Sequence, residues 1–176
     1  MVRAARLLAG LCVAAALAWP ALTLWALAGL SPADLLERAG LAGPFMAEWG
    51  DAAYTREQQV AVLALLTLPV GLSGWALLCL ARGFHALAGP AADLRQAQAA
   101  LRRFAGWTVV ATAGSVLAGT LASVLLTWHY PPGQRQLAVA LSSAHFQALL
   151  VAGLVWVFAH LLVRAQAVAE ENAQFV

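Results

Sequence analysis

Four long stretches without a charged side chain most constrain the fold of this chain. They cover residues 7–30, 58–81, 104–128 and 144–163. A helix needs about 20 apolar residues to cross the hydrocarbon core of a membrane, and each stretch is long enough. A helix also satisfies its own backbone hydrogen bonds, which lipid cannot do. The sequence therefore predicts an all-α protein, an integral membrane bundle of four transmembrane helices.

The composition favours a membrane as the surroundings of the chain and argues against nucleic acid as a partner. Hydrophobic residues make up 62% of the chain and charged residues only 10%, against about 25% charged residues in a soluble domain. We expect one domain over residues 1–176, with the lipid bilayer as its first partner. The net charge of +2 predicts no direct binding to nucleic acid. Cys12 and Cys79 lie in apolar runs and indicate neither a disulfide framework nor a metal site.

The arginines predict the orientation, because loops rich in Arg or Lys stay in the cytoplasm. With the N-terminus inside, seven arginines are cytoplasmic: Arg3, Arg6, Arg82, Arg95, Arg102, Arg103 and Arg164. Three are then outside: Arg38, Arg56 and Arg135. We therefore expect both termini in the cytoplasm. The loops 31–57 and 129–143 then face outward.

Short helices are expected in the loops. "SPADLLERAG" in the first outer loop carries a capping Ser31, a Pro32 suited to the first helical position and a terminating Gly40. This pattern predicts an amphipathic helix at the membrane surface. In the second outer loop, "QLAVALS" alternates as a strand does, and Ser142 or Ser143 then caps the fourth helix.

The inner loop predicts a basic amphipathic helix over residues 91–103 that runs into the third span. One face has apolar residues at helical spacing, and Arg95 and Arg102 lie on another face. Two interpretations stay open. The helix is either an anchor that binds anionic lipid or a docking face for a partner protein.

The polar C-terminal tail, residues 164–176, is the second candidate docking element. Leu161, Val168 and Phe175 recur every seven residues, which predicts that the fourth helix continues past the membrane. Glu170 and Glu171 then lie near a helix C-terminus, where negative charge is unfavourable. We expect them to pair with cations on the inner helix, with Phe175 on an apolar patch. The cations concerned are Arg95, Arg102 and Arg103. A frayed, solvated tail is the alternative.

The third span has a stripe of small residues, each four positions apart: Ala111, Ser115, Gly119 and Ser123. A second row beside it consists of Gly114, Ala118 and Ala122. Small residues allow close approach of helix backbones. The stripe predicts tight packing within the chain, with a homodimer seam as the alternative. Pro20 and Pro69 are expected to kink the first two spans, and "LPVGLSGW" beside Pro69 favours packing or a small cavity.

Four histidines are candidate cofactor ligands. His85 and His160 lie toward the cytoplasmic side, too close to the predicted interface for a buried haem. His129 and His145 lack the Cys or carboxylate partners of a metal site. We therefore expect no cofactor and interpret the histidines as interfacial polar residues. No nucleophile–base pair or nucleotide-binding motif is present in the sequence, which predicts a protein without enzymatic activity.

The C-terminal half resembles a known family of bacterial membrane proteins. The stretch "YPPGQRQLAVALSSAHFQALLVAGLVWVFAHLLVRAQAVAEENAQFV", residues 130–176, is similar to members of domain of unknown function 2975. "LRRFAGW" at 101–107 also fits that family. The segment "GFHALAGPAADL" departs from it, since family members carry a more polar sequence there.

The resemblance implies a four-helix protein of the bacterial inner membrane with no established activity. Genes of this family often adjoin those of small helix-turn-helix regulators, which implies a cytoplasmic regulator as partner. We therefore expect a non-enzymatic interaction or regulatory protein that acts through its cytoplasmic face. A small carrier or channel-like subunit, using the first two helices, is the alternative, and a haem-binding membrane protein is a third.

Overall fold

The computed structural model describes residues 2–28, 55–89, 94–128, 137–139 and 141–173. The predicted surface helix of the first outer loop lies outside these residues. Leu137, Ala138 and Val139 of the second outer loop are described and form no regular strand.

Four helices account for nearly all of the described chain: α1 (Val2–Ala28), α2 (Arg56–Leu87), α3 (Leu94–Thr127) and α4 (Ser143–Ala173). Each is long and apolar enough to cross a membrane. The prediction of an all-α fold with four such helices is confirmed. Helices α1 and α3 begin well before the predicted spans, at Val2 and Leu94, and α2 and α4 end well after them, at Leu87 and Ala173.

Capping hydrogen bonds between nearby residues explain where α2 and α4 begin. Thr55 and Gln58 form a reciprocal capping box before α2, with the Thr55 side chain accepting from the Gln58 N–H at 3.3 Å. Ser142 precedes α4, and its N–H donates to the His145 Nδ1 at 3.0 Å. The predicted helix start at Ser142 or Ser143 is therefore confirmed. His145 has a structural role in this cap.

The helices pack in chain order, α1 on α2, α2 on α3 and α3 on α4. The contact between α2 and α3 is antiparallel and contains two apolar clusters. At one end, Val62 packs against Ala122 and Leu126. Nearer the other end, Cys79 packs against Phe104. The core therefore lies between α2 and α3, and α1 and α4 flank it.

The third helix is continuous from Leu94, so the predicted run of the inner helix into the third span is confirmed. Its second small-residue row faces α2, since a Cβ on Gly114 would lie 3.9 Å from both Leu72 and Pro69. In the predicted stripe, Ala111 and Ser123 are buried within the chain. The other two members, Ser115 and Gly119, are partly exposed. The homodimer seam stays a prediction.

The hydroxyl groups of α3 bond to carbonyl oxygens of their own helix, as polar side chains do where water is scarce. Ser123 has a second role, because its Oγ donates to the Thr120 carbonyl at 2.7 Å and accepts from the Ala138 N–H at 3.1 Å. This bond fastens the α3–α4 connection to α3. No buried side-chain N or O atom among the described residues lacks a partner.

Candidate functional site at the basic end

The antiparallel packing brings seven arginines to one end of the bundle, which we name the basic end. It comprises the first turns of α1 and α3, the last turns of α2 and the second half of α4. Its arginines are Arg3, Arg6, Arg82, Arg95, Arg102, Arg103 and Arg164. Glu57 is the one carboxylate whose side chain the structure describes, and it lies at the opposite end of α2. Positive charge therefore dominates the described part of this end.

Helices α1 and α2 touch closely at one level and separate toward the basic end. A Cβ on Gly74 would lie 3.0 Å from the Ala16 carbonyl oxygen and 3.5 Å from Pro20. A side chain at this position would make a tighter contact than side chains ordinarily do, so glycine favours this approach of the two backbones. Nearer the basic end, a Cβ on Gly10 would meet no atom within 4 Å. The two helices therefore enclose an open space above their contact.

This space, which we name the α1/α2 groove, has a volume of about 700 Å³. Its floor consists of apolar residues from both helices, most of them Gly or Ala: Ala9, Gly10, Val13, Ala14, Leu78, Ala81 and Ala86. Its mouth has cationic or polar side chains: Arg6 from α1, Arg82 and His85 from α2 and Gln96 from α3. The groove is therefore apolar along its length and basic at its mouth.

Arg82 reaches along its own helix into this groove. Its guanidinium carbon lies 5.6 Å from the centroid of the Trp75 ring, within the range of a cation–π interaction. Trp75 is seven residues earlier in α2, so the arginine side chain points away from the basic end. Long helical side chains take this direction because their Cα–Cβ bonds tilt toward the helix N-terminus.

The contact between α3 and α4 has a different arginine–tryptophan pair. The Arg102 guanidinium carbon lies 5.4 Å from the centroid of the Trp156 ring, which belongs to the other helix. The His160 ring stacks on Trp156 with centroids 5.7 Å apart and an interplanar angle of 17°. Below this cluster is a hollow of about 460 Å³ lined by Ala105, Gly106, Val109, Leu149, Ala152, Gly153 and Trp156. None of these lining residues is charged.

The predicted docking arginines differ in their surroundings. Arg95, Arg102 and Arg103 are all exposed, but Arg102 also contacts Trp156. The helix of the tail is confirmed through Ala173, with Leu161 and Val168 on an exposed face. The side chains of Glu170 and Glu171, and all of Phe175, lie outside the described residues. The predicted pairing of tail and inner helix therefore stays a prediction.

The register of α3 and α4 shows how far the tail extends. Arg102 is level with Trp156, and Ala105 and Ala152 line the same hollow. Leu94 precedes Arg102 by as many residues as Arg164 follows Trp156, so the start of α3 is level with Arg164. At 1.5 Å per residue, a straight α4 places Glu170 about 9 Å beyond that start. Long side chains are needed to span this offset.

The two candidate haem ligands, His85 and His160, lie in different parts of the structure. His85 lies at the mouth of the α1/α2 groove, whereas His160 stacks on Trp156 beside α3. His145 caps α4, and His129 lies outside the described residues. Within the described ranges, no three His, Cys, Asp or Glu side chains cluster as metal ligands do.

Residues from all four helices line a small central cavity of about 270 Å³. Its lining includes Ser73 of "LPVGLSGW", where the sequence favoured packing or a small cavity. The hydroxyls of Ser73, Thr108 and Thr112 also line it, and each donates to a carbonyl of its own helix at 2.8–2.9 Å. The cavity therefore has an apolar character despite these three hydroxyls.

Sequence reasoning missed the α1/α2 groove, although a signal for it exists. Counted from Arg6 in α1, the lining residues fall at positions 0, +3, +4, +7 and +8. Counted from Leu78 in α2, the lining residues follow the same spacing. This spacing marks one face of a helix. Each stripe combines small residues with a cation, a pattern that fits a groove with a basic mouth.

No protein-family model, curated protein or solved structure matches the chain. The resemblance to domain of unknown function 2975 therefore stays a prediction, and the geometry of the basic end carries the functional argument.

Proposed function

We propose that this chain is a multi-pass protein of the bacterial inner membrane with both termini in the cytoplasm. The exposed apolar surface supports this placement, since α1 leaves Leu7, Leu17 and Trp25 exposed at 69%, 67% and 79%. Apolar surface of this extent marks contact with a membrane or a partner. The arginine bias supports the orientation, because the seven arginines of the basic end belong in the cytoplasm.

The basic end then acts as a non-enzymatic docking face for a cytoplasmic protein. The observation that carries this proposal is the exposure of Arg95, Arg103 and Arg164 at one end of the bundle, away from the described carboxylate Glu57. Helix α4 continues beyond Arg164 as a further contact surface. A partner with an acidic surface fits this face, because complementary charge speeds association and selects partners. The family resemblance suggests a helix-turn-helix regulator.

Purification from native membranes in mild detergent tests this function. The full chain is compared with a chain truncated after Arg164 and with the double variant Arg95→Gln/Arg103→Gln. Mass spectrometry then identifies the proteins that stay bound. The control Arg56→Gln removes a positive charge at the opposite end of the bundle, outside the docking face. We expect a helix-turn-helix protein that the full chain and the control retain and the other two lose.

Two results would contradict the proposal at different levels. Release of the chain from membranes by alkaline carbonate would contradict the membrane placement. Recovery of the same proteins by all four forms would contradict the docking face but not that placement. Labelling of single cysteines at positions 3 and 56 with an impermeant reagent tests the orientation, and only position 56 should react in intact cells.

A carrier is the second candidate, favoured by the central cavity to which all four helices contribute. Its position beside Pro69 and Gly74 would let a helix movement open it. Uptake of a small solute into proteoliposomes that Ser73→Leu abolishes, while Ser115→Leu does not, would favour the carrier. Equal uptake by both variants would count against it.

A further inference from the structure

We propose that the α1/α2 groove is a specific site for one anionic phospholipid. The phosphate binds at Arg6, Arg82 and His85, and one acyl chain lies on the apolar floor. This inference rests on the membrane placement of the proposed function but not on the docking of a protein. It adds a ligand and a second functional region to the molecule, on the side of the bundle away from α4.

The floor has the shape and chemistry that an acyl chain needs. Most of its residues are Gly or Ala, so their side chains leave the space between the helices open. Gly10 is exposed and meets no atom within 4 Å, so the groove opens sideways. In a membrane, that opening faces lipid. The volume of about 700 Å³ lies within the range of ligand sites.

The mouth has the chemistry that a phosphate diester needs. Two arginines, Arg6 and Arg82, come from different helices and line one space. A guanidinium donates paired hydrogen bonds to phosphate oxygens, and His85 adds a further nitrogen one turn above Arg82. The described carboxylate, Glu57, lies at the far end of α2 and does not neutralise them. Basic pockets between transmembrane helices on the cytoplasmic side are a recognised setting for anionic headgroups.

The direction of Arg82 favours a lipid over a soluble anion. An arginine near the membrane boundary ordinarily extends toward water. Arg82 instead points along α2 toward Trp75, deeper than its own Cα. This places a cation beside the upper part of the apolar floor, where a lipid phosphate and its acyl chain are covalently joined. A free phosphate would use the mouth and leave the floor without a ligand.

Native mass spectrometry of the full chain in detergent tests the site. Phosphatidylglycerol is compared with phosphatidylcholine of the same acyl chains, and inorganic phosphate serves as the headgroup-only probe. We expect phosphatidylglycerol to bind about tenfold more tightly than phosphatidylcholine. Arg6→Gln/Arg82→Gln should reduce this preference to about twofold or less. Millimolar inorganic phosphate should not displace the lipid.

Matched variants separate this site from general attraction of lipid to positive charge. Arg3→Gln/Arg56→Gln removes one arginine from each of the same two helices outside the groove and should keep the preference. Gly10→Phe fills the groove and should abolish retention of the lipid. Gly153→Phe fills the uncharged hollow between α3 and α4, where a Cβ also meets no atom within 4 Å. It should leave retention unchanged.

Three outcomes would overturn the inference. If the two double arginine variants lost the preference for phosphatidylglycerol equally, overall charge and not the groove would explain that preference. Equal loss of lipid in the two phenylalanine variants would show that no particular groove holds it. Displacement by inorganic phosphate would make the mouth a site for soluble anions. Each of these can occur with the chain still in the membrane, so the placement and this site are tested separately.

Discussion

The two flanks of the basic end use the same pair of residue types in opposite ways. On the α1/α2 flank, Arg82 lies over Trp75 of its own helix, and the groove beside it has a basic mouth. On the α3/α4 flank, Arg102 lies over Trp156 of the neighbouring helix, above a hollow without charge. An arginine–tryptophan pair within one helix leaves the neighbouring helix free to separate. The same pair between helices connects them.

This difference assigns different roles to the flanks. The α1/α2 flank has the features of a ligand site, namely free volume, small lining residues and cations. The α3/α4 flank has those of a structural joint, with Trp156 in contact with both Arg102 and His160. The exposed Arg95 lies nearer the basic end than this joint and the exposed Arg103 lies beside it, so the joint supports the proposed docking face.

The largest expected effect comes from forcing the α1/α2 flank apart at its contact. Gly74→Leu places a side chain where a Cβ already lies 3.0 Å from the Ala16 carbonyl. Backbone atoms cannot move aside as a flexible side chain can. We expect the free energy of unfolding to fall by about 3 kcal/mol. Thermal unfolding in detergent, followed by circular dichroism, measures it.

Gly71→Leu is the matched control for that substitution. Gly71 lies in the same helix, and a Cβ there meets no atom within 4 Å. This variant should keep the wild-type stability or gain slightly, since leucine has the higher helix propensity. Equal destabilisation by the two variants would show that the contact at Gly74 does not hold α1 against α2.

The second prediction compares the two tryptophans directly. Trp75 and Trp156 are equally exposed, at 45% each, so burial does not distinguish them. Trp156→Leu should lower the free energy of unfolding by about 1–2 kcal/mol, because it removes a contact between helices. Trp75→Leu should cost about 0.5 kcal/mol. Chemical unfolding in detergent gives both values, and equal losses would end the distinction between the flanks.

The helices were predictable from the sequence, whereas the difference between the flanks was not. The uncharged stretches and the helical spacing of apolar residues in the inner helix are local patterns, and the structure has helices at these positions. The groove depends on how far α1 lies from α2, which Gly74 determines through a contact with Ala16. No local pattern reports that distance.

The same limit explains Arg102 and the histidines. Arg102 was grouped with Arg95 because both lie on one face of the inner helix, but its contact with Trp156 arises only when α3 meets α4. His145 was weighed as a metal ligand from its residue type, while its contact with Ser142 is a local cap that the position at the helix start favours. In the sequence, Arg6 and Arg82 indicate only the orientation, because the groove mouth that they share forms only when α1 packs on α2.

A third prediction concerns the connection that closes the α3/α4 flank at the far end. Ser123→Ala removes the acceptor of the Ala138 N–H, which should cost about 1 kcal/mol. Ser115→Ala is the control, because Ser115 makes the same type of bond to its own helix at 2.7 Å without a bond to the connection among those described. Hydrogen exchange at 137–139 should become several-fold faster in the first variant only. Equal exchange in both would show that Ser123 does not fasten the connection.

The smallest expected effect concerns the starts of α2 and α4, at the end of the bundle opposite the basic end. Helix α2 begins with a reciprocal capping box, whereas α4 begins with one acceptor, the His145 Nδ1, for the Ser142 N–H. His145→Ala should lower the free energy of unfolding by about 0.5 kcal/mol, at the low end for a helix cap. His145→Gln should restore it, because glutamine is a natural acceptor at the third helical position. Proteolysis between residues 137 and 145 reports the fraying, and faster cleavage of the glutamine variant than of the alanine variant would contradict the cap. If the cap holds, α4 has a defined start at Ser142, and the contact of Arg102 with Trp156 joins it to α3 nearer the basic end.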